Sequence, residues 1–273
     1  NQVKDNYYIY EIPKKSGGVR KIYAPNYTLK YIQKQIVRNL LQEQRISKYA
    51  KAYYKGATLK ENAVIHQKKS VILKLDLQNF FESITFKQVY EEVFYIYPEN
   101  IRVLLTNLCL YDNHLPQGAP TSPYISNIVM REFDERIGKW CKDKKINYTR
   151  YSDDLTFSGV FEPKEVIKKV KEELYKRNLK LNKKKIHVIK NSMQQRVTGI
   201  VVNQKIQVAK SYRKEIRKEM YYVRKYGIKS HLEKINSLKN KEEYISTLKG
   251  KINFVLMINK DDKEFLKYQK EIN

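Results

Sequence analysis

This sequence is poor in the residues that build cross-linked or metal-caged proteins. It holds two cysteines, Cys109 and Cys141, and four histidines in 273 residues. Neither a disulfide framework nor a Cys/His zinc cage assembles from so few, so a reduced, cytoplasmic protein is expected. No apolar run approaches the ~18 residues of a membrane-spanning helix, and no signal-peptide pattern opens the chain, so no membrane partner is expected. The sequence starts on Asn1 rather than Met, and that start is not taken as the natural amino terminus. Internal repeats, low-complexity tracts and flexible linkers are missing too.

Acids are also scarce relative to bases. Against 55 Lys+Arg stand 29 Asp+Glu, a net charge of +26. Such a surface attracts polyanions, and phosphate neutralisation with counterion release gives salt-sensitive nucleic-acid binding. A bias toward AT-rich codons would enrich Lys, Asn, Ile and Tyr in the same way. Confinement of the charge to one amphipathic helix, the mark of a membrane-surface protein, is not found. A hydrophobic fraction of 41% is enough for a core, and the length fits one multi-lobed unit or two domains.

Periodicity then sorts the chain into elements. Residues 1 to 30 read as short strands around a Gly17-Gly18 turn, followed by a helix from about Leu29 to Arg45. Val71-Ile72-Leu73-Lys74-Leu75-Asp76-Leu77 is a buried-strand pattern broken by an acid near its end. Helical periodicity covers Phe86 to Tyr97 and Asn100 to Leu110. At Gly118-Ala119-Pro120-Thr121-Ser122-Pro123 the chain turns into a helix expected to run to about Lys142, capped by Ser122 with Pro123 at its first position. Tyr148-Thr149-Arg150-Tyr151 and Leu155-Thr156-Phe157-Ser158-Gly159 flank an acidic turn and read as a hairpin. A helix from Pro163 to Arg177 precedes strands near Ile186 to Lys190 and Arg196 to Val202, and everything from Ser211 onward is helical. The expected class is α+β: a small antiparallel sheet with helices on one face, then a helical carboxyl-terminal lobe.

An acid inside a strand is costly unless something compensates it. Asp76 sits in such a strand, and Asp153 and Asp154 sit at the hairpin tip. If the two elements are neighbours, these carboxylates converge and repel unless a divalent cation lies between them. Hard oxygen donors with little Cys or His nearby select Mg²⁺, with Mn²⁺ as the alternative. Two such ions about 4 Å apart clamp the attacking hydroxyl and the leaving group of an in-line phosphoryl displacement. A lone Asp at a strand end is ordinarily a cap or an ion pair, and paired acids in a turn are ordinary turn chemistry. Their ordered combination carries the reading. Farther on, Tyr212, Arg213, Arg217, Tyr221, Tyr222, Arg224 and Lys225 interleave aromatics with cations on successive helical turns. That arrangement suits a phosphate backbone with stacked bases, while a tyrosine stripe at this spacing also suits a core.

Taken in order, these motifs resemble the retron-type reverse transcriptases over nearly the whole chain. Asp76-Leu77-Gln78-Asn79-Phe80-Phe81 is similar to that family's first palm motif. Leu115-Pro116-Gln117-Gly118-Ala119-Pro120-Thr121-Ser122-Pro123, with Ser126-Asn127 beyond, resembles its template-and-nucleotide motif. Tyr151-Ser152-Asp153-Asp154 resembles the catalytic box, whose second position is commonly Ala. Asn62-Ala63-Val64-Ile65-His66 and Val197-Thr198-Gly199 resemble two elements that group II intron and viral enzymes do not generally share.

The resemblance implies a right-hand polymerase with fingers at residues 1–70 and 86–117, palm at 71–85 and 118–204, and thumb at 205–273. It implies that Asp76, Asp153 and Asp154 are the catalytic acids and, with Leu77, hold two Mg²⁺ ions. Phe81 resembles the ring that excludes a 2′-hydroxyl, Phe80 being the core ring of the pair. Gln117 and Gly118 resemble nucleotide contacts, Arg20 in Gly17-Gly18-Val19-Arg20-Lys21 a triphosphate contact, and Lys185 a lysine that assists pyrophosphate. Arg20 also reads as a solvated hairpin residue, and Lys183 and Lys184 compete with Lys185 for the match. Asn62 and His66 are expected to touch RNA or to brace the palm, and Val197, Thr198, Gly199, Arg213, Arg217, Tyr221 and Arg224 to line the nucleic acid. His66, isolated from other ligands, reads as a hydrogen-bonded structural residue rather than a metal ligand. Leu248-Lys249-Gly250-Lys251-Ile252-Asn253-Phe254 is similar to a thumb segment of the family.

The implied activity is RNA-directed DNA synthesis from dNTPs on a cognate structured non-coding RNA that serves as template and primer. First priming from the 2′-hydroxyl of an internal guanosine, a branched RNA–DNA product (msDNA), and anti-phage defence with an effector protein follow from the same resemblance. Alternatives are a group II intron-type or other defence reverse transcriptase, an RNA polymerase or nucleotide cyclase sharing the palm, and an RNA-binding scaffold with a vestigial site. No second catalytic centre of the RNase H kind is present in the sequence.

Overall fold

Strand alternation decides which side chains meet at the centre of the protein. The computed structural model describes residues 4–14, 17–234 and 240–272. Its chain divides into two compact units, one drawn from residues up to Thr58 with Ser70–Ile189, the other from Leu59–Lys69 with the chain from Lys190 onward. No helix among the described residues is long and apolar enough to cross a membrane.

The first unit opens with an antiparallel ribbon, β1 (Tyr7–Pro13) against β2 (Val19–Pro25), in which Tyr7 faces Pro25 and Pro13 faces Val19. Tyr7 and Tyr23 anchor it on Leu29 and Ala119, leaving most of the ribbon exposed. Helix α1 (Tyr27–Ile36) starts where the Asn26 side chain accepts from Leu29 N at 2.9 Å, then widens into a π-helical turn over Val37–Leu41, short of the expected end at Arg45. In chain order follow α2 (Leu59–Val64) of the second unit, β3 (Val71–Asp76), α3 (Phe86–Glu92), α4 (Glu99–Cys109), α5 (Ser122–Val129), α6 (Arg131–Asp143), β4 (Asn147–Tyr151), β5 (Asp154–Gly159), α7 (Pro163–Tyr175) and β6 (His187–Lys190).

The four-stranded sheet has the order β4-β5-β3-β6. Leu73, Leu75 and Leu77, with Tyr148, Leu155 and Phe157, share one buried cluster with Phe133 and Ile137 of α6 and Val166, Val170 and Leu174 of α7. Because side chains alternate along a strand, Lys74, Asp76, Asp154 and Thr156 point to the opposite face. The apolar run that signalled β3 is therefore the helix-facing half of the strand, and its acid belongs to the other half.

Arg150 is the exception on the helix face. Its guanidinium is fully buried and bidentate on Asp134, with Nη2 2.7 Å from Oδ2 and Nε 3.0 Å from Oδ1. Nη2 also donates to Asn127 Oδ1 and Nη1 to the Ser152 carbonyl, both at 3.1 Å, and Tyr148 Oη donates to Asp134 Oδ1 at 2.8 Å. A buried charge persists only when its partners are this complete. The helix expected to run unbroken from Ser122 to about Lys142 is two helices that part at Met130, between the Asn127 and Asp134 that both reach Arg150. Ser122 is not its cap: Thr121 holds that position, and the Ser122 hydroxyl donates to the Pro116 carbonyl at 2.7 Å.

The second unit joins α2 to a three-stranded sheet, β7 (Arg196–Val197), β8 (Ile200–Val201) and β9 (Gln207–Val208), and to α8 (Lys210–Lys234), α9 (Lys241–Ile258) and α10 (Lys263–Ile272). The strand expected over Arg196 to Val202 is a tight hairpin, because Thr198 (φ 46°) and Gly199 (φ 84°) both take left-handed backbone, the pattern of a type I′ turn. Helix α8 breaks at Gly227 (φ 74°, ψ 162°). A capping box between Asn240 and Glu243 starts α9. These packing units follow another line than the fingers, palm and thumb boundaries expected from the sequence. Residues 59–69 and 190–204 pack with the carboxyl-terminal helices, tied by Lys68 N to Val202 O at 3.0 Å and Gln67 Nε2 to Gln204 O at 2.8 Å.

Removing Asp134 strands a buried guanidinium. Asp134→Ala is expected to lower stability by about 3–5 kcal/mol in urea denaturation, and joint replacement as Asp134→Leu/Arg150→Met to recover most of the loss.

Candidate active site

Asp76 closes β3 directly opposite Asp154, the first residue of β5. Directly opposed residues of an antiparallel pair lie on one face with Cα atoms about 4.5–5.5 Å apart, so these carboxylates share a patch. Asp153 completes it from the loop between β4 and β5, and its carbonyl accepts from Leu77 N at 3.0 Å. That loop is two residues long, Ser152 and Asp153, closed by the Tyr151–Asp154 pair. Ser152 carries φ 61° at its first position, where glycine is usual. A non-glycine residue held there costs of order 1 kcal/mol and persists only if its surroundings over-determine it. Here Arg150 holds its carbonyl and Tyr53 Oη donates to its Oγ at 2.8 Å.

The electrostatics follow from burial and crowding. Burial first, and the neighbouring Asp76 carboxylate after it, raise the Asp153 carboxyl above the ordinary carboxylate range. Asp154 is raised too, by burial first, with Asp153 and Asp76 adding to the effect and Lys74 opposing it. Lys185 reaches the patch by direct contact: its Nζ donates to Asp76 Oδ2 at 2.8 Å, and this bond is the main reason its ammonium titrates above the usual lysine range. No set of three His, Cys, Asp or Glu among the described residues forms a ready metal cage. The donor chemistry nevertheless fits a hard divalent ion. Carboxylates that resist ionising beside one another, already drawing an ammonium onto Asp76, are what such an ion would relieve.

Around this patch the first unit forms a cleft of about 760 Å³. Its walls include Asp76, Leu77, Phe81, Gln117, Asp153 and Lys185, with Arg20 and Gly17 from the ribbon. Both rings of the Phe80-Phe81 pair border the cleft, Phe80 from the core and Phe81 more openly, being only partly buried. Gly118 serves the wall rather than lining it. With φ 122° it lets the loop press on β2, where a Cβ would stand 2.8 Å from the Tyr23 carbonyl, and the Gln117 carbonyl accepts from Tyr23 N at 2.7 Å. Asp154 is outside the lining as well.

The remaining expected residues belong to the second unit. Asn62 and His66 are fully buried, and burial lowers the His66 imidazole to about 3, so it stays neutral. Both side chains are enclosed within this unit. Val197 is buried, and Thr198-Gly199 form the hairpin turn. Arg213 is ion-paired with Asp262 and Glu264, Arg217 with Glu264 at 2.6 Å, and Arg224 with Glu271 at 2.7 Å. These guanidinium groups latch α8 to α10 instead of standing free. Tyr221 remains 54% exposed.

Sequence reasoning passed over Tyr53, Asn182 and the Arg150–Asp134 pair. Tyr53 lies in an irregular segment without periodicity, and Asn182 supports Asp76 only through its main chain, N to O at 2.8 Å. A basic residue alternating with apolar ones in a hairpin arm was the one signal for Arg150.

Comparison with known proteins agrees with this geometry. Residues 12–202 match the family described as reverse transcriptase (RNA-dependent DNA polymerase). The chain is 43% identical to the Retron Ec83 reverse transcriptase of Escherichia coli over 56% of its own length and 53% of that protein's. It is 34% identical to the Retron Ec86 reverse transcriptase of Escherichia coli over 80% of this chain and 70% of that one. With the Retron Mx65 reverse transcriptase of Myxococcus xanthus it shares 31% over 85% and 60%. It thus spans about half to two thirds of the length of these relatives. Among solved structures, an apo telomerase from Candida tropicalis superposes with TM-score 0.50 at 13% identity, over 76% of this chain and 55% of that one. The fold is the α+β fold of right-hand polymerases.

Raised carboxyls carry a pH signature. Stability contributed by the protonated Asp153 and Asp154 is present at low pH and lost as pH rises through their raised range. At neutral pH without divalent metal, Asp153→Asn is therefore expected to raise the melting temperature, by about 2–4 °C for each kcal/mol of repulsion relieved, and added Mg²⁺ to narrow the gap. Calorimetry on both proteins checks this.

Proposed function

The chain belongs to the reverse transcriptase (RNA-dependent DNA polymerase) family, in its retron branch, and from that membership we propose that it polymerises DNA on an RNA template in the cleft of its first unit. The observation that carries the reading is the register of β3 on β5, which sets Asp76 opposite Asp154 beside Asp153. In the reaction the primer 3′-hydroxyl attacks the α-phosphate of a deoxynucleoside triphosphate; one P–O bond forms and the bond to pyrophosphate breaks. Asp76, Asp153 and Asp154, with Leu77, would hold two Mg²⁺ or Mn²⁺ ions, which when bound neutralise the phosphates and orient them.

The protein's own residues supply the rest. Arg20 offers a planar fork to the triphosphate oxygens. Lys185, already drawn to Asp76, is within the same cleft and has a proton to give to departing pyrophosphate. The Phe81 ring lies under the sugar and excludes a 2′-hydroxyl, and the Gln117 amide contacts the nucleotide. Gly118 keeps that loop pressed to β2. Along the chain, 1–70 and 86–117 act as fingers, 71–85 and 118–204 as palm, and 205–273 as thumb. In the second unit, the Thr198-Gly199 turn and Tyr221 are the groups offered to RNA, with Asn62, His66 and Val197 supporting them from within. Arg213, Arg217 and Arg224 shape the α8–α10 surface.

The retron likeness supports the finer reading. Template and primer are one structured non-coding RNA, primed at a 2′-hydroxyl, and the branched RNA–DNA product works with an effector protein against phage.

Extension of a structured RNA with Mg²⁺ and labelled dNTPs is expected for the wild type. Asp76→Asn or Asp153→Asn should reduce it by more than about a hundredfold, the loss of roughly 3 kcal/mol of transition-state stabilisation; equal incorporation would refute the site. Phe81→Ala should cut discrimination against ribonucleotides by about tenfold or more, measured as the ratio of kcat/KM for dNTP and NTP.

A further inference from the structure

Beside the cleft, the first unit has a second hollow of about 790 Å³. Four lysines line it, Lys171 from α7 and Lys180, Lys183 and Lys184 from the chain that follows, and no Asp or Glu joins them. All four are exposed, and among the described residues none of their ammonium groups is hydrogen-bonded or ion-paired. Main-chain bonds strap this segment to the end of β3: Gln78 N donates to the Lys180 carbonyl and Asn182 N to the Asp76 carbonyl, both at 2.8 Å. Leu179 and Leu181 are buried on either side of Lys180, which alternation turns outward. Lys183–Lys185 then form a single 3₁₀ turn, opened by the Asn182 side chain, which accepts from Lys184 N at 3.2 Å. With three residues per turn, successive side chains splay about 120° apart. Lys185 accordingly lines the cleft, while Lys183 and Lys184 line the hollow. Gln78, Asn79 and Asn182 line both, so the hollow is a side branch of the cleft.

Four like charges with no acid among them hold a positive potential along this branch. At its inner end Asp76, Asp153 and Asp154 repel any polyphosphate that nears them, and free ammonium groups next door draw one in. Lysine offers a mobile point charge rather than the planar fork that clamps one phosphate, which suits passage better than retention. We propose that Lys171, Lys180, Lys183 and Lys184 form an electrostatic guide for polyphosphate, drawing in the triphosphate of an arriving nucleotide and taking up the pyrophosphate released. This inference rests on the polymerase reading of the cleft and adds the route by which its charged substrate and product travel. RNA is the other polyanion that free lysines attract. The branch, however, meets the cleft beside Lys185, where the proposed reaction places pyrophosphate and not the template.

The test compares the wild type with the variant Lys171→Gln/Lys180→Gln/Lys183→Gln/Lys184→Gln and with Lys→Arg at the same four positions, Lys185 being kept throughout. Loss of the four charges is expected to raise KM for dNTP and the inhibition constant of pyrophosphate on the order of tenfold at low salt, the lower end of what steering fields achieve. Both gaps should shrink between about 0.01 and about 0.15 M salt, as the screening length falls from about 30 to about 8 Å. The melting temperature, kcat and affinity for RNA should be little changed, because these ammonium groups are exposed and touch no reacting atom. The arginine set should match the wild type, since steering needs charge and not shape. Titration calorimetry with inorganic pyrophosphate alone should show weaker binding by the glutamine set without any turnover. Unchanged KM and pyrophosphate inhibition in the glutamine set, or an arginine set no better than it, overturns the guide. Lost RNA affinity with KM for dNTP unchanged also overturns it and gives the hollow to RNA. A wild type that binds pyrophosphate through these lysines yet extends no RNA overturns instead the polymerase reading beneath.

Discussion

The arrangement of the cleft depends on one register, that of Val71–Asp76 against Asp154–Gly159. Strand side chains alternate, so a slip of one residue would turn Asp76 into the helix-facing core and bring Leu75 to the polar face. The leucines on β3, packed against the helices, forbid that slip because each would lose its burial. Apolar packing on one face thus determines which polar groups meet on the other. The carboxylate patch is in this sense enforced by residues that never touch it.

A second consequence of alternation is that charge lies on both faces of the same hairpin. On one side Arg150 and Asp134 neutralise each other in full burial. On the other the acids crowd together with one lysine drawn in. The first grouping is closed, with Asn127, Tyr148 and the Ser152 carbonyl completing the hydrogen bonds around the pair. The second is open to a cleft and under-compensated. The closed pair keeps the Ser152-Asp153 loop in a strained backbone, which in turn keeps the open patch assembled. Repulsion at the patch and rigidity behind it are parts of one device, and such sites trade stability for readiness.

Much of this was readable from sequence because it is local. The apolar density of β3, the hairpin around the acids and the Phe80-Phe81 pair each announce themselves within a few residues. What escaped was set by partners elsewhere. Periodicity from Ser122 to Lys142 is nearly continuous, and the break at Met130 lies between two side chains that converge on Arg150 of another element. Asn62 and His66 read as touching RNA or bracing the palm, and their burial is set by a sheet and helices far along the chain. The alternation of tyrosines and arginines on α8 was visible, but not that carboxylates of α10, about forty-seven residues on, would claim the arginines. Tyr53, in a stretch with no period at all, had no sequence signal.

That claim on the arginines alters what salt does to this protein. Arg213, Arg217 and Arg224 reach the α10 carboxylates from positions that are partly open to water, so added ions screen the latch between the helices as well as the attraction to phosphate. On the proposed reading, in which nucleic acid runs along α8, the fall of affinity with ionic strength sums two processes, counterion displacement from the polyanion and loosening of these helices. A double-logarithmic salt plot for this chain overcounts its phosphate contacts by whatever share the helical latch contributes.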